Sequence, residues 1–174
     1  MTLVNIRPAT STDLPWIMSV ETQAFTGGWS DQSWSDEIHN HVVLLASIAP
    51  IQHGADVPVG VLALSMVAGT AEVLRIIVVP EARRRTVGRV LLEYGISEMV
   101  QQGASEVFLE VSVENQAAIG LYENFGFVQI DRRTSYYGPG DDALVYRWTT
   151  TPTSCPSLDG EGPTLSTTRR SDHV

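Results

Sequence analysis

Hydrophobic and polar positions follow two periods along the chain, and together they predict a mixed sheet with flanking helices. Short runs rich in Val, Ile and Leu predict strands, and apolar positions three and four apart predict helices. The predicted strands cover residues 3–8, 42–49, 57–67, 71–79, 106–113, 127–133 and 142–148, and the predicted helices cover about 12–25, 31–40, 87–102 and 115–126. This order predicts an α/β protein of mixed α+β type, with a central sheet of six to seven strands and about four helices.

Local signals indicate the ends and faces of these elements. Thr12 is a suitable N-cap for the first helix, Asn115 for the fourth, and Gly103 suits the C-terminal end of the third. The strand at 71–79 ends in a β-branched run, which predicts burial on both faces. The face of the first helix that is predicted to point inward includes Leu14, Ile17, Met18, Ala24 and Phe25, with the carboxylate of Glu21 among them.

The composition changes after Trp148. Residues 149–174 are rich in Thr, Ser, Pro and Gly, so we expect one domain over 1–148 and a disordered tail. The single cysteine, Cys155, lies in that tail, which excludes an internal disulfide and a cysteine metal cluster. Neither a signal peptide nor an apolar run of about 20 residues is present. We therefore expect a cytoplasmic protein that needs no metal and does not enter a membrane.

Composition, motifs and net charge exclude or disfavour several classes of function. The chain contains no lysine, so the usual forms of a Walker A phosphate loop and of a pyridoxal phosphate site are excluded. No G-x-G-x-x-G follows a predicted strand, which argues against a nicotinamide-binding domain. The formal net charge of −9 disfavours nucleic acid and favours a basic partner, although an acidic surface can also serve solubility alone.

The first candidate for chemistry is the transition from strand to helix at residues 74–92. A buried strand stops at Pro80, and an arginine-rich loop leads into an apolar helix. The free N–H groups at a helix start form an anion site, to which arginines add charge-assisted hydrogen bonds. Gly88 allows a ligand to approach the backbone. A phosphate site and a solvated basic turn are both compatible with this pattern.

Two further candidates are single side chains. Glu110 faces away from the apolar side of its strand, beside Phe108 and Ser112, and a carboxylate in an apolar setting can act as a general base near neutral pH. Tyr122 lies on the apolar face of the fourth helix, with Ala118, and a tyrosine can donate a proton to a departing thiolate. A surface-facing Glu and a packed core Tyr are the alternative interpretations.

Together these segments resemble the GNAT acetyltransferase superfamily. Its acyl-CoA signature, Q/R-x-x-G-x-G/A, is matched by Arg83-Arg84-Arg85-Thr86-Val87-Gly88, and the resemblance covers residues 3–148. Within the superfamily the chain is similar to the RimI group, which acetylates the N-terminal alanine of a small-subunit ribosomal protein. The matching segments are Ala24-Phe25, Trp29-Ser30, Ile76-Ile77-Val78 with Pro80, Leu109-Glu110-Val111, Asn115 with Ala117-Ala118, Leu121-Tyr122-Glu123, Gly126-Phe127, Arg132-Arg133, Tyr136-Tyr137 and Asp142-Ala143.

The resemblance implies roles for particular residues. Glu110 would be the general base and Tyr122 the general acid of a direct acetyl transfer from acetyl-CoA to an amine. Asn115 would also contact the cofactor. The cofactor's pantetheine arm would bind the backbone of Ile76, Ile77 and Val78, and its pyrophosphate the loop formed by Arg84, Arg85, Thr86, Val87, Gly88 and Arg89.

One residue departs from the signature, because Thr86 replaces its first glycine. If this position is left-handed, a β-branched residue costs roughly 1–3 kcal/mol, and if it is right-handed the hydroxyl could reach a phosphate. Charge complementarity suggests that the acidic segment 31–37, with Trp29 and Tyr136–Tyr137, receives a basic N-terminal peptide of a ribosomal protein. We expect a monomer. A small-molecule amine acceptor and a non-catalytic acyl-CoA-binding module remain as alternatives.

Overall fold

The apolar segments pair into one seven-stranded sheet in the computed structural model, which describes residues 3–49 and 54–150. The strand order is β1-β2-β3-β4-β5-β7-β6; β4 and β5 are parallel and every other neighbouring pair is antiparallel. The strands are β1 (Val4–Pro8), β2 (Val42–Ile48), β3 (Val57–Val67), β4 (Thr70–Val78), β5 (Glu106–Ser112), β6 (Val128–Gly138) and β7 (Asp141–Thr149), and the helices are α1 (Leu14–Ala24), α2 (Asp31–Asn40), α3 (Val87–Gln101) and α4 (Gln116–Phe125).

Helices cover both faces of the sheet. Alternate side chains of β2 and β3 point to opposite faces, so Leu44 and Leu62 join one apolar cluster while Val43 and Val61 join another. The first cluster packs against α3 and α4, and the second against α1 and α2. Gly95 allows α3 to approach the sheet closely, because a Cβ atom there would lie 2.6 Å from Leu62 Cδ2.

Strand β4 contains one extra residue, Leu74. Leu64 of β3 pairs with Val73, whereas the adjacent Ala63 pairs with Arg75, so Leu74 forms a β-bulge. A bulge bends its strand and increases the local twist. Pairing between β4 and β5 ends at Val73 and Leu109, although both strands continue further. The bulge therefore marks the point where β4 and β5 separate and leave a gap in the sheet.

The predicted fold class is confirmed, but several details were wrong. Thr12 does not cap α1; it lies within a short 3₁₀ helix (Ser11–Asp13), and the backbone N–H of Thr10 donates to Asp13 Oδ2 at 2.8 Å. The buried face of α1 consists of Ile17, Val20 and Glu21, whereas Ala24 and Phe25 are exposed. The helix starts two residues later than the pattern indicated, and Phe25 follows its last residue in an extended conformation rather than continuing the helical face.

The strands also differ from the predictions. Strand β4 is not buried on both faces, because Glu72 is exposed and residues 74–76 are only half-buried. Strand β6 extends to Gly138 rather than ending at Arg133, and its polar outer face explains why no apolar alternation marked the extension. Thr149, which was assigned to the tail, completes β7. Disorder of the tail remains a prediction, because residues 151–174, including Cys155, lie outside the described residues.

Candidate active site

The gap between β4 and β5 opens next to the first turn of α3. Beyond Val73 the edge of β4 that faces β5 has no ladder partner, so its backbone groups are available to a ligand. The backbone of Ile76, Ile77 and Val78, the segment predicted to bind pantetheine, belongs to this edge. An extended, hydrogen-bonding chain of the pantetheine type fits an open strand edge of this kind.

The loop before α3 surrounds the helix N-terminus with positive charge. Arg84, Arg85 and Arg89 are exposed, while the Arg83 Nε–H donates to the carbonyl oxygen of Val78 at 3.0 Å. The first N–H groups of α3 have no helical partner, and the helix dipole favours an anion there. Val87 is buried in the core, so only its backbone faces the loop. The loop and helix start therefore fit a pyrophosphate group.

Gly88 serves packing as well as ligand access. A Cβ atom at this position would lie 3.1 Å from Leu121 Cδ2 and 3.7 Å from Val78 Cγ2. The glycine therefore lets the first turn of α3 approach α4 and the separated end of β4. The sequence indicated only the contribution of Gly88 to backbone access.

Thr86 occupies the conformation that is costly for its residue type. It is the N-cap of α3 with φ of 66°, in the left-handed region, and its hydroxyl donates to the carbonyl oxygen of Arg85. Arg84 also has a positive φ, of 60°. The hydroxyl of Thr86 is thus used within the loop, and a β-branched residue here stores roughly 1–3 kcal/mol of strain.

We expect Thr86→Gly to stabilise the domain. Because glycine adopts a positive φ without strain, the free energy of unfolding should rise by about 1 kcal/mol, and the melting temperature by about 2–4 °C. Thermal denaturation measures both. The control is Thr22→Gly, at an exposed position within α1, which should destabilise by about 0.3–0.5 kcal/mol because glycine is the poorer helix former. A lower melting temperature for Thr86→Gly would contradict the strain argument.

Glu110 lies on the face of β5 opposite the core, as the alternation predicted. Val107, Leu109 and Val111 are buried on the other face. The Glu110 carboxylate forms an ion pair with the guanidinium of Arg133 from β6, and its side chain is 18% exposed. It borders a cleft of about 290 Å³ together with Arg133, Glu72, Phe108, Ser65, Val67, Thr70, Ala71, Leu109 and Val145. Burial raises the pKa of Glu72, and the charge of Glu110 adds to this rise.

Tyr122 lies on the other side of the gap, on α4. Its ring is buried and meets Phe127 edge-to-face, with centroids 5.8 Å apart. Burial raises the pKa of Tyr122 above its ordinary value, and nearby Tyr137 adds to the rise. Burial is also the main cause that raises the pKa of Tyr137, and the negative charge of Glu110 is the second. Tyr137 is therefore close to both predicted catalytic groups, one from each face of the sheet.

The remaining predicted site residues surround this region. Asn115 caps α4, because its Oδ1 accepts the backbone N–H of Ala118 at 3.2 Å, and its amide nitrogen is left for other contacts. Trp29 is half-buried in the α1–α2 loop and packs on Trp34, with centroids 5.0 Å apart. A bulge in β6 between Arg133 and Gly138 places Tyr136 and Tyr137 in an edge-to-face pair beside Glu110.

A buried ion pair at the site was missed by sequence reasoning. Arg75 Nη1 lies 3.3 Å from Glu21 Oε1, and their side chains are 16% and 1% exposed. The same Glu21 oxygen accepts the backbone N–H of Trp29 at 2.8 Å. The pattern contained two signals for this pair, an acidic residue on the inward face of α1 and a lone arginine within an apolar strand. Either charge alone would be costly to bury, so each required a partner.

Two surveys of the described residues gave negative results. None of the helices is both long and apolar enough to cross a membrane. Within residues 3–49 and 54–150, no group of three or more His, Cys, Asp or Glu side chains is arranged to hold a metal ion.

Comparison with known proteins identifies the class to which this fold and site belong. The model of the acetyltransferase (GNAT) family matches residues 14–127, well over half of the chain, and the chain therefore belongs to this family. It is 31% identical over 138 residues to the [ribosomal protein bS18]-alanine N-acetyltransferase of Escherichia coli K12, covering 78% of this chain and 90% of that protein.

Solved structures give the same family assignment. The crystal structure of the ribosomal-protein-S18-alanine N-acetyltransferase from Escherichia coli superposes with a TM-score of 0.72 at 28% identity, covering 84% of this chain and 94% of the other. The structure of Arabidopsis thaliana NAA60 in complex with acetyl-CoA has a TM-score of 0.77 at 16% identity, covering 84% and 98% of the two chains, and this likeness shows the fold alone.

Proposed function

We propose that this protein transfers the acetyl group of acetyl-CoA to the N-terminal α-amine of a protein, and that its acceptor is the N-terminal alanine of ribosomal protein bS18. The observation that carries the proposal is the arrangement at the gap between β4 and β5. Glu110 directly follows the last residue of β5 that pairs with β4 and lies on one face of the sheet, and Tyr122 belongs to the cluster on the other face. The similarity to the Escherichia coli enzyme supports this choice of acceptor.

Acetyl-CoA supplies the thioester, and the residues around the gap would bind it. The open edge of β4 would hold the pantetheine arm, and the loop from Arg84 to Arg89 with the start of α3 would hold the pyrophosphate. This division leaves the face that carries Glu110, Trp29 and Tyr137 for the acceptor. Membership of the acetyltransferase (GNAT) family supports the choice of an acetyl donor.

The proposed roles of the residues follow from their positions. Glu110 takes a proton from the acceptor ammonium, directly or through a water, and the amine then attacks the thioester carbonyl. Tyr122, kept protonated by its burial, donates its proton to the departing sulfur. The guanidinium of Arg133 and the acceptor ammonium are both cations that can pair with the Glu110 carboxylate. Because the side chain of Arg133 is half-exposed, it can move into solvent when the ammonium arrives.

Amine pKa values favour an N-terminal acceptor. Releasing the free amine at pH 7 costs about 1 kcal/mol for an α-amine and about 4.6 kcal/mol for a lysine side chain. A single carboxylate base is sufficient to deprotonate an α-amine. The exposed acidic residues Asp31 and Asp36 on α2, with Trp29 and the two tyrosines of β6, support a basic acceptor peptide. The enzyme would act as a monomer in the cytoplasm, where such an acceptor is synthesised.

Release of coenzyme A thiol in the presence of acetyl-CoA and different acceptors tests the proposal. We expect an alanine-starting basic peptide to be acetylated faster than an acidic peptide of equal length, and faster than a polyamine. Equal rates on the two peptides would show that the acidic residues of α2 do not select a basic acceptor. A preference for the polyamine would favour a small-molecule acetyltransferase, and coenzyme A binding without thiol release would favour a non-catalytic module.

A further inference from the structure

Arg75 provides a positive charge at the acceptor side of the gap. It follows the bulge at Leu74, and its side chain lies on the α1–α2 face of β4 beside Ile77. The guanidinium carbon lies 4.1 Å from the ring centroid of Phe25 and 4.6 Å from that of Trp29. Its position is therefore fixed by two aromatic residues of the α1–α2 loop region in addition to Glu21.

The Arg75–Glu21 pair leaves hydrogen-bonding capacity unused. The two side chains share one contact, from Nη1 to Oε1 at 3.3 Å, rather than the bidentate arrangement that arginine and carboxylate favour. Arg75 Nε and Glu21 Oε2 are both buried and have no hydrogen-bond partner among the described residues. A guanidinium that only stabilised the fold would be expected to satisfy more of its donors. Unused donors on a rigidly held arginine indicate a ligand acceptor.

The location of Arg75 identifies which part of a ligand it would meet. The register pairs Val73 with Leu109, so the next residue of β5, Glu110, faces the bulge, and Arg75 is the residue that follows the bulge on β4. Tyr137 is near both, since the charges of Glu110 and Arg75 both act on its hydroxyl. A group held by Arg75 would therefore be next to the group held by Glu110.

We propose that Arg75 is a specificity-determining residue that donates a hydrogen bond to the carbonyl oxygen of the acceptor's first residue while Glu110 receives its α-ammonium. This inference rests on the proposed function and adds the basis of selection. In a peptide N-terminus the amine and the first carbonyl are separated by one carbon atom, so two adjacent groups on the enzyme can hold both. Polyamines and lysine side chains have no carbonyl at this position, and Arg75 therefore selects peptide N-termini.

The test combines a change in the enzyme with a change in the acceptor. The two acceptors are an alanine-starting peptide and the same peptide with a trans-alkene in place of its first peptide bond, which keeps the shape and removes the carbonyl. For Arg75→Gln we expect kcat/KM to fall by about 10- to 100-fold on the peptide, mainly through KM, and by less than about threefold on the alkene. Because each acceptor is compared with itself, differences in amine pKa cancel.

Equal losses on both acceptors, or no loss on the peptide, would overturn the role of Arg75. Acetylation of neither acceptor by the wild-type protein would overturn the proposed function as well, so the two failures are distinguishable. The control Arg7→Gln removes an ion pair with Asp13, 2.7 Å long, at the β1 edge of the sheet, and should leave the rates on both acceptors unaffected.

Arg75→Gln leaves Glu21 buried without its counter-ion and can impair folding. The double variant Glu21→Gln with Arg75→Gln replaces the ion pair by two neutral amides and removes this problem. It should show the same pattern as Arg75→Gln, a large loss of kcat/KM on the peptide and a small loss on the alkene, measured on protein whose circular dichroism matches the wild type. Equal losses on both acceptors in the folded double variant would also overturn the proposal.

Discussion

Glu110→Gln should lower the rate of acetyl transfer by about 10²–10⁴-fold, which is the usual contribution of a general base. The amide cannot accept the proton of the acceptor ammonium, although it has almost the same size. Glu110 lies on the face of β5 away from the core, so the fold and the binding of acetyl-CoA should change little. Single-turnover kinetics with saturating peptide measure the rate, and calorimetry measures the affinity for acetyl-CoA.

Glu106→Gln is the matched control for this experiment. Glu106 lies four residues earlier on the same face of β5 and pairs with Arg147 at 3.7 Å, remote from the gap. Its replacement removes the same charge from the same strand and should leave the rate within about twofold of wild type. Full activity of Glu110→Gln would show that another group accepts the proton, and Glu21 would be the first candidate.

Tyr122→Phe should also lower the rate, by about 10²-fold or more, because the departing thiolate loses its proton donor. Burial raises the pKa of Tyr122, so its hydroxyl stays protonated as the pH rises through neutrality toward 10. Loss of the Tyr122 proton therefore does not set the alkaline side of the pH profile. The variant should lower the whole profile without shifting it, as rates measured between pH 6 and about 9.5 will show.

Tyr146→Phe tests whether the loss of any buried tyrosine hydroxyl slows the reaction. Tyr146 is buried in β7, and its hydroxyl donates to Glu123 Oε1 at 2.8 Å. Its removal costs stability of about 1.5–3 kcal/mol, the usual net value of a hydrogen bond to a charged group, and should not change the rate. Equal rate losses in Tyr122→Phe and Tyr146→Phe would attribute the effect to the fold rather than to proton donation.

The fold was largely predictable because its strands and helices follow strong apolar periods. Asn115 and Gly103 were assigned as helix ends, and both are confirmed: Asn115 Oδ1 caps α4, and Gly103 follows α3 with φ of 101°. The face of β5 that carries Glu110 followed from the alternation, which one buried face enforces. The burial of Tyr122 followed from the helical period in the same way.

The parts that escaped prediction depend on contacts between distant residues. The pattern indicated that Glu21 and Arg75 each need a partner, but nothing local indicated that they pair with each other across 54 positions, or that Arg133 reaches Glu110. The extension of β6 is exposed and polar, so its pattern resembles that of a loop. The sequence left two backbone conformations open for Thr86. The structure has the left-handed one, which a β-branched residue seldom adopts, so the residue type alone could not have predicted it.

The added residue at Leu74 reverses the parity of side chains along β4. Glu72 and Arg75 are three positions apart, an odd spacing that would put them on opposite sides of a regular strand, yet both point toward the acceptor side. Removing Leu74 would leave Arg75 on the acceptor side, because Arg75 would then follow Val73 directly, but it would make β4 regular and allow it to continue its pairing with β5. One residue of chain length thus determines whether the sheet stays open for the donor.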